Sequence, residues 1–194
     1  MKNQPRKCFV MMGAPGCGKG TLLKALSNLE VFSMSGDLMN LKQDSIKGPL
    51  ITDMMDGGYL VPSEITIPIF VMKWLLVPPK GHVALDGVVR TCLQADGCLD
   101  VVARGKPHFQ IVPVLIDVPL EICRSRILNR GEGRNDDADV KTIERRFANY
   151  VAFTLPTWDY LQKKYSKTAI VIKVTDGNQP KEVTAAQARK LMFP

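Results

Sequence analysis

Cys8-Phe9-Val10-Met11-Met12-Gly13-Ala14-Pro15-Gly16-Cys17-Gly18-Lys19-Gly20-Thr21 is a short apolar run that breaks into a glycine-rich turn and then into the helical pattern of residues 21–29. Strand, glycine turn and helix, in that order, form the geometry that cradles a phosphate chain. Glycines let the backbone bend tightly, so several N–H groups converge on one anion. The helix N-terminus adds its partial positive charge. Lys19 is spaced to reach terminal phosphates, and the Thr21 hydroxyl is spaced to ligand Mg²⁺. The usual pattern closes on Gly-Lys-Ser/Thr. Here Gly20 intervenes and the hydroxyl arrives one residue later.

Beyond this loop, short apolar runs alternate with helical stretches, as in a doubly wound parallel sheet of α/β class. Strands are expected at 8–12, 31–34, 82–86, 110–116 and 170–174, each rich in Val, Ile or other apolar residues as buried parallel strands are. Helices are expected at 19–28, 36–46, 49–57, 63–77, 91–103, 119–130, 139–164 and 180–192. Pro68 falls inside one of them and predicts a kink or a late start. Pro119 fits the first position of its helix, and Gly131 fits its stop. In the helix from Asp139, Val140, Ile143, Phe147, Tyr150 and Val151 are read as one core-facing stripe. Sheets of this kind bind ligands beyond the carboxyl ends of their strands, so the remaining chemistry is sought there.

Size and charge narrow the choices. The chain has 194 residues, enough for one domain with a buried core. Its 45% hydrophobic and 23% charged content is that of an ordinary globular protein. No apolar run approaches the roughly 20 residues that span a membrane. The basic start 1–7 leads directly into a strand without a signal-peptide core, so the reading is cytoplasmic. Lys and Arg number 26 against 19 Asp and Glu, a net charge of +7 that suits anionic ligands. The cations are scattered without interleaved aromatics, which argues against nucleic acid, and arginines concentrate between Arg124 and Arg146. The five cysteines include no Cys-x-x-Cys pair, so neither a disulfide framework nor a zinc site is indicated. Three are read as small core residues, and Cys17, inside the phosphate loop, as oxidation-sensitive. His82 and His108 read as strand-edge residues.

Three further segments carry chemistry. Ser35-Gly36-Asp37 follows the second strand and, by itself, reads as a helix cap. Asp86-Gly87-Val88-Val89-Arg90-Thr91 follows the third. An acid ending a buried strand is costly without a partner, and Mg²⁺ or its bound water is a natural one; a strand-end cap and a surface arginine are the plainer alternative. Arg126 and Arg130 share a helix face. Gly131-Glu132-Gly133-Arg134-Asn135-Asp136-Asp137 then forms a short loop, and Arg146 follows on the next helix. Arginines gathered together repel unless an anion sits among them, as phosphoryl transfer requires. A solvated, ion-paired helix face is the alternative reading.

Taken together with the turn Asp56-Gly57-Gly58-Tyr59-Leu60-Val61-Pro62, these motifs resemble the nucleoside monophosphate kinases, adenylate kinases of the short-lid type in particular, through five segments in family order across residues 8–192. The resemblance implies a single domain with a P-loop NTPase-like five-stranded parallel sheet flanked by helices. Its core would be 1–34, 63–129 and 138–194, with a small helical NMP-binding insert at 35–62 and a short lid loop at 130–137. It implies Mg²⁺-dependent transfer from ATP to AMP by a monomer, with a UMP/CMP kinase of the same fold, or a regulatory nucleotide-binding protein with impaired turnover, as rivals. Gly13, Ala14, Pro15, Gly16, Cys17, Gly18, Lys19, Gly20 and Thr21 would hold the ATP phosphates. Arg126, Arg130 and Gly177 would meet ATP, Arg126 stacking on its base. Ser35, Tyr59, Leu60, Val61, Gly87, Val88, Val89 and Gln94 would surround AMP, with Arg90 on its phosphate. Arg130, Arg134 and Arg146 would hold the transferring group, oriented by Asp136 and Asp137. Thr21 and Asp86 would hold Mg²⁺, the latter through water. Two positions depart from the family pattern. Val89 replaces a proline, and Asn40 stands where an arginine helps grip the AMP phosphate, so that Lys42 or Lys47 would have to compensate or AMP would bind more weakly.

Overall fold

A computed structural model describes residues 5–41, 48–76, 79–105, 108–129, 139–177 and 179–194. Its centre is strand β1 (Arg6–Gly13), which pairs in parallel with β3 (His82–Asp86) on one side and β4 (Phe109–Asp117) on the other. β2 (Leu29–Ser33) and β5 (Ile170–Lys173) complete the sheet in the order β2-β3-β1-β4-β5. β1 alternates cleanly between the two faces. Cys8, Val10 and Met12 join one buried cluster, while Phe9 and Met11 join the other. Both faces are covered by helices, which is why the strands read as continuous apolar runs.

The helices are α1 (Lys19–Ala25), α2 (Met34–Leu41), α3 (Gly48–Asp56), α4 (Ser63–Leu76), α5 (Cys92–Arg104), α6 (Leu120–Leu128), α7 (Val140–Asn149), α8 (Leu155–Lys164) and α9 (Lys181–Met192). The sequence expectations hold for the elements and need correction at their ends. β2 begins at Leu29 and stops at Ser33, so α2 starts at Met34 and not at Gly36. The capping oxygen belongs to Ser33, whose Oγ accepts from the Gly36 N–H at 3.4 Å, and neither Ser35 nor Asp37 plays that part. Asp37 instead pairs with Lys73 of α4 at 2.5 Å. Pro119 is the residue before α6, not its first turn. α4 runs through Pro68 from Ser63 without a late start, and its first turn is held by Ile65 and Thr66 N–H groups donating to the Pro62 carbonyl.

The largest correction concerns residues 139–164. One helix was expected; the structure has α7, a π-helical turn (Tyr150–Thr154) and α8. Pro156, in the first turn of α8, supplies the reason. It has no N–H to donate, and its ring conflicts with the carbonyl four residues earlier, which a widened turn relieves. Ile143, Phe147 and Tyr150 are buried as expected, but Val140 and Val151 are exposed and leave the stripe. Four cysteines rather than three lie inside: Cys8, Cys17, Cys98 and Cys123. Burial pushes the thiols of Cys98 and Cys123 up to about 12, so both are inert core groups. Lys42, Lys47 and Gly131 lie outside the described residues. Among the described residues, no helix is long and apolar enough to cross a membrane.

Candidate active site

The carboxyl edge of the sheet gathers the candidate residues in a line. Register places Met11 opposite Asp86, Asp86 opposite Ser33, and Gly13 opposite Ile116. Reading along that edge, the segments met are the start of α2 after β2, the Asp86–Arg90 turn after β3, the glycine loop after β1, α6 after β4 and the 174–177 turn after β5.

The glycine loop is built as the sequence required. The Cys17 N–H donates to the Ala14 carbonyl at 3.1 Å and closes the turn. Gly16, at φ +82°, packs so tightly that a Cβ would lie 2.4 Å from the Cys123 carbonyl oxygen. The loop is thereby seated on α6. Lys19 is half-buried and donates from Nζ to the Gly13 carbonyl at 2.7 Å, with Cys17 Sγ 3.6 Å away. Its ammonium therefore lies across the mouth of the loop, where an anion cradled by the loop N–H groups would meet it. Cys17 is buried and packs beneath.

On the β3 side, Val88 and Val89 are both buried in the core, 1% and 3% exposed, so Val89 anchors the turn by packing. Arg90 is exposed, and its guanidinium folds back over Gly87, where a Cβ would lie 3.3 Å from Nη2. Thr91 caps α5 by accepting from the Gln94 N–H at 3.2 Å. Gln94 is only 3% exposed. Its Oε1 accepts from the Arg90 N–H at 2.8 Å, and its Nε2 donates to Thr66 Oγ1 at 3.0 Å. A buried amide needs such partners, and here they also fix its orientation. One N–H and one lone pair remain for a base edge. Thr66 and Thr157 were not singled out in the sequence. The Thr157 hydroxyl donates to the Phe153 carbonyl at 2.7 Å and stands 3.3 Å from the Arg90 carbonyl. The available signal was a threonine at a core-facing position of an apolar helix.

On the far side, Arg126 is half-buried on α6 and donates from Nη2 to the Gly177 carbonyl at 3.2 Å. The two expected neighbours of the ATP base are thus together. Ser35 and Asn40 are exposed on α2. Tyr59 is exposed, Leu60 half-buried and Val61 buried in the turn after α3. Arg146 is half-buried on α7, its Cγ close to Gly58. Arg145, also missed in the sequence, donates to the Gly57 carbonyl. Arg130, Arg134, Asp136 and Asp137 lie outside the described residues. Asp86 is half-buried and Thr21 exposed. Among the described residues, no group of three His, Cys, Asp or Glu is placed to hold a metal. The Thr21 hydroxyl in α1 and the Asp86 carboxylate, at the end of β3 opposite Met11, are oxygen donors of the kind a magnesium ion takes.

Comparison with known proteins gives the same reading. A sequence model described as adenylate kinase matches residues 11–166. The chain is 31% identical over 191 residues to the adenylate kinase of Synechococcus sp. (strain JA-2-3B'a(2-13)), covering 95% of each. It is 31% identical over 186 residues to that of Leptospira biflexa, covering 92% of this chain and 96% of that protein. It is also 33% identical over 160 residues to a probable UMP-CMP kinase 1 of Arabidopsis thaliana, covering 79% of this chain and 74% of that protein. The chain belongs to the adenylate kinase family of nucleoside monophosphate kinases.

Proposed function

We propose that the protein transfers the terminal phosphoryl group of ATP to AMP, yielding two ADP, with Mg²⁺ as the metal. The observation that carries this reading is the fixed Gln94 amide beside Arg90. A base-reading group and a phosphate-gripping guanidinium share one turn, next to a phosphate loop whose lysine faces its mouth. Gln94 would pair with adenine through its spare N–H and lone pair, and Arg90 would grip the AMP phosphate bidentately. Arg126 and Gly177 would flank the ATP base. Lys19 and Arg146, with Arg130 and Arg134, would hold the migrating group, and Asp136 and Asp137 would orient those arginines. Residues 35–62 would form the acceptor segment and 130–137 the lid.

Mg²⁺ would neutralise phosphate charge, with the Thr21 hydroxyl as ligand and Asp86 holding a bound water. No residue is required as nucleophile or general base. Catalysis rests on in-line positioning and on cations fixed where charge spreads in the transition state. Asn40 supplies no charge to the AMP phosphate, so the acceptor grip rests more heavily on Arg90.

A coupled assay with Mg-ATP and AMP, CMP, UMP and GMP in turn tests this. AMP is expected to give the highest kcat/KM, and a higher value with CMP or UMP overturns the choice of acceptor. The pyrimidine reading is retained because a relative of this chain bears the UMP-CMP kinase name.

A further inference from the structure

One face of α7 forms a seat for the turn that follows α3. Thr142, Arg145, Arg146 and Asn149 fall at i, i+3, i+4 and i+7, so they line a single side of the helix. Gly58 lies against that side with φ +71°. A Cβ there would stand 2.9 Å from the Thr142 carbonyl oxygen and 3.1 Å from Arg146 Cγ, so only glycine fits. Arg145 Nη1 donates to the Gly57 carbonyl, and Asn149 Nδ2 donates to the Gly58 carbonyl at 3.0 Å. The Arg145 guanidinium carbon lies 4.1 Å from the centre of the Tyr59 ring, a ring that is otherwise 53% exposed. On its other side the turn is tied to α3, with Gly57 N–H donating to the Asp53 carbonyl at 2.9 Å and Tyr59 N–H to the Met54 carbonyl at 2.8 Å. These contacts join segments more than 80 residues apart in the chain.

We propose that Arg145 and Asn149 are positioning residues for the acceptor nucleotide. They fasten the 57–61 turn to the helix that carries Arg146. Under the proposed function, on which this inference rests, that turn meets the acceptor base and Arg146 holds the phosphoryl group. A single rigid helix then sets the span between the two ends of the acceptor. The planar guanidinium does two things at once, stacking on Tyr59 and bonding a carbonyl, which an ammonium cannot reproduce. The proposed function assigns no part of the ATP base or its phosphate loop to the turn or to Arg145, so the clasp is expected to bear on the acceptor.

The test is steady-state kinetics on the full chain, varying AMP at saturating ATP and ATP at saturating AMP. It compares wild type with Arg145→Ala, Arg145→Lys and Asn149→Ala. Hydrogen exchange of the peptide spanning residues 56–61, without nucleotide, is measured alongside. Arg145→Ala is expected to raise KM for AMP about tenfold, the loss of one hydrogen bond and one stacked cation. KM for ATP and kcat stay within about twofold, and the peptide exchanges faster. Arg145→Lys recovers less than half of the loss. An equal rise in both KM values, a fall in kcat at unchanged KM for AMP, or unchanged exchange overturns the inference. Should Arg145→Ala fail to fold, Asn149→Ala carries the same test with about a threefold rise, since it removes one hydrogen bond and leaves the stack. If wild type prefers CMP or UMP, that nucleotide is the varied acceptor. If wild type phosphorylates none of the four, the proposed function falls and takes this role with it. An active wild type with unchanged acceptor KM in the variants refutes only the present inference.

Discussion

In the role proposed for it, Lys19 would matter little to the fold and greatly to the chemistry. Its Nζ donates to the Gly13 carbonyl at 2.7 Å, a bond worth about 1 kcal/mol net because water competes for both groups. Lys19→Ala is therefore expected to lower Tm by only about 2–4 °C, the usual consequence of such a loss in a chain of this size. Under the proposed function the same substitution would remove a fixed cation from the place where phosphoryl charge develops, and kcat is expected to fall by about two to three orders of magnitude. Thermal melts and the coupled assay on one preparation measure both. A variant that melts within this range and turns over near the wild-type rate would strip Lys19 of its catalytic assignment.

The joint between α7 and α8 acts on a larger scale, through the turn it supports. Thr157 is fully buried. Its hydroxyl donates to Phe153 of the π-helical turn and stands 3.3 Å from the Arg90 carbonyl, so the widened turn and the Asp86–Arg90 turn share one polar contact. Thr157→Val keeps the shape and leaves two part-buried carbonyls without that hydroxyl. The expected cost is about 1–2 kcal/mol, read as a lower urea midpoint at unchanged slope; an unchanged midpoint would remove the hydroxyl from the account. The same region shows where the sequence could be read and where it could not. β3 was legible to the residue, because its apolar run is bounded by Gly81 and Gly87. Asp86 could be singled out from its place at the end of that strand, whereas Arg90 and Gln94 were singled out through the family resemblance of the segment that follows. The π-helical turn was hidden because apolar periodicity passes through residues 143–150 into 158–161 without a visible break, and Pro156 alone gave no measure of how the chain would widen. Arg145 and Asn149 were hidden for another reason. Their partners, Gly57 and Gly58, are distant in sequence, and nothing in an Arg-Arg pair on a helix tells which arginine turns toward a neighbouring backbone.

Across the molecule the sheet separates two jobs. Its carboxyl edge carries the candidate site, while its amino edge is covered where the start of β1 meets the end of α9. There the Lys7 N–H donates to His82 Nδ1 at 2.9 Å, and Lys7 Nζ donates to the Met192 carbonyl at 2.8 Å. The Phe193 ring packs edge-on against Phe9 and His82, each 5.4 Å away between centres. Because Nδ1 accepts a backbone N–H, His82 holds its proton on Nε2 and must lose this bond to become charged. Burial, followed by the charges of Lys7 and Arg6, lowers its pKa below the ordinary 6.5. The sign of the effect follows. Below about 6.5 the unfolded chain takes up a proton at His82 that the folded chain refuses. The unfolded state then binds more protons, and stability falls as pH drops through the window between the two values. More than about a pH unit above 6.5 the ring is neutral in both states and adds almost no slope. His82→Gln, whose amide oxygen still offers an acceptor to the Lys7 N–H, is expected to flatten that part of the profile. Urea midpoints of wild type and His82→Gln at pH 8.5, 7.5 and 5.5 measure it. The wild type should lose more stability than the variant between the last two points, and the two should run parallel between the first two. Parallel profiles over the whole range would show that the amino edge does not sense protons through this ring.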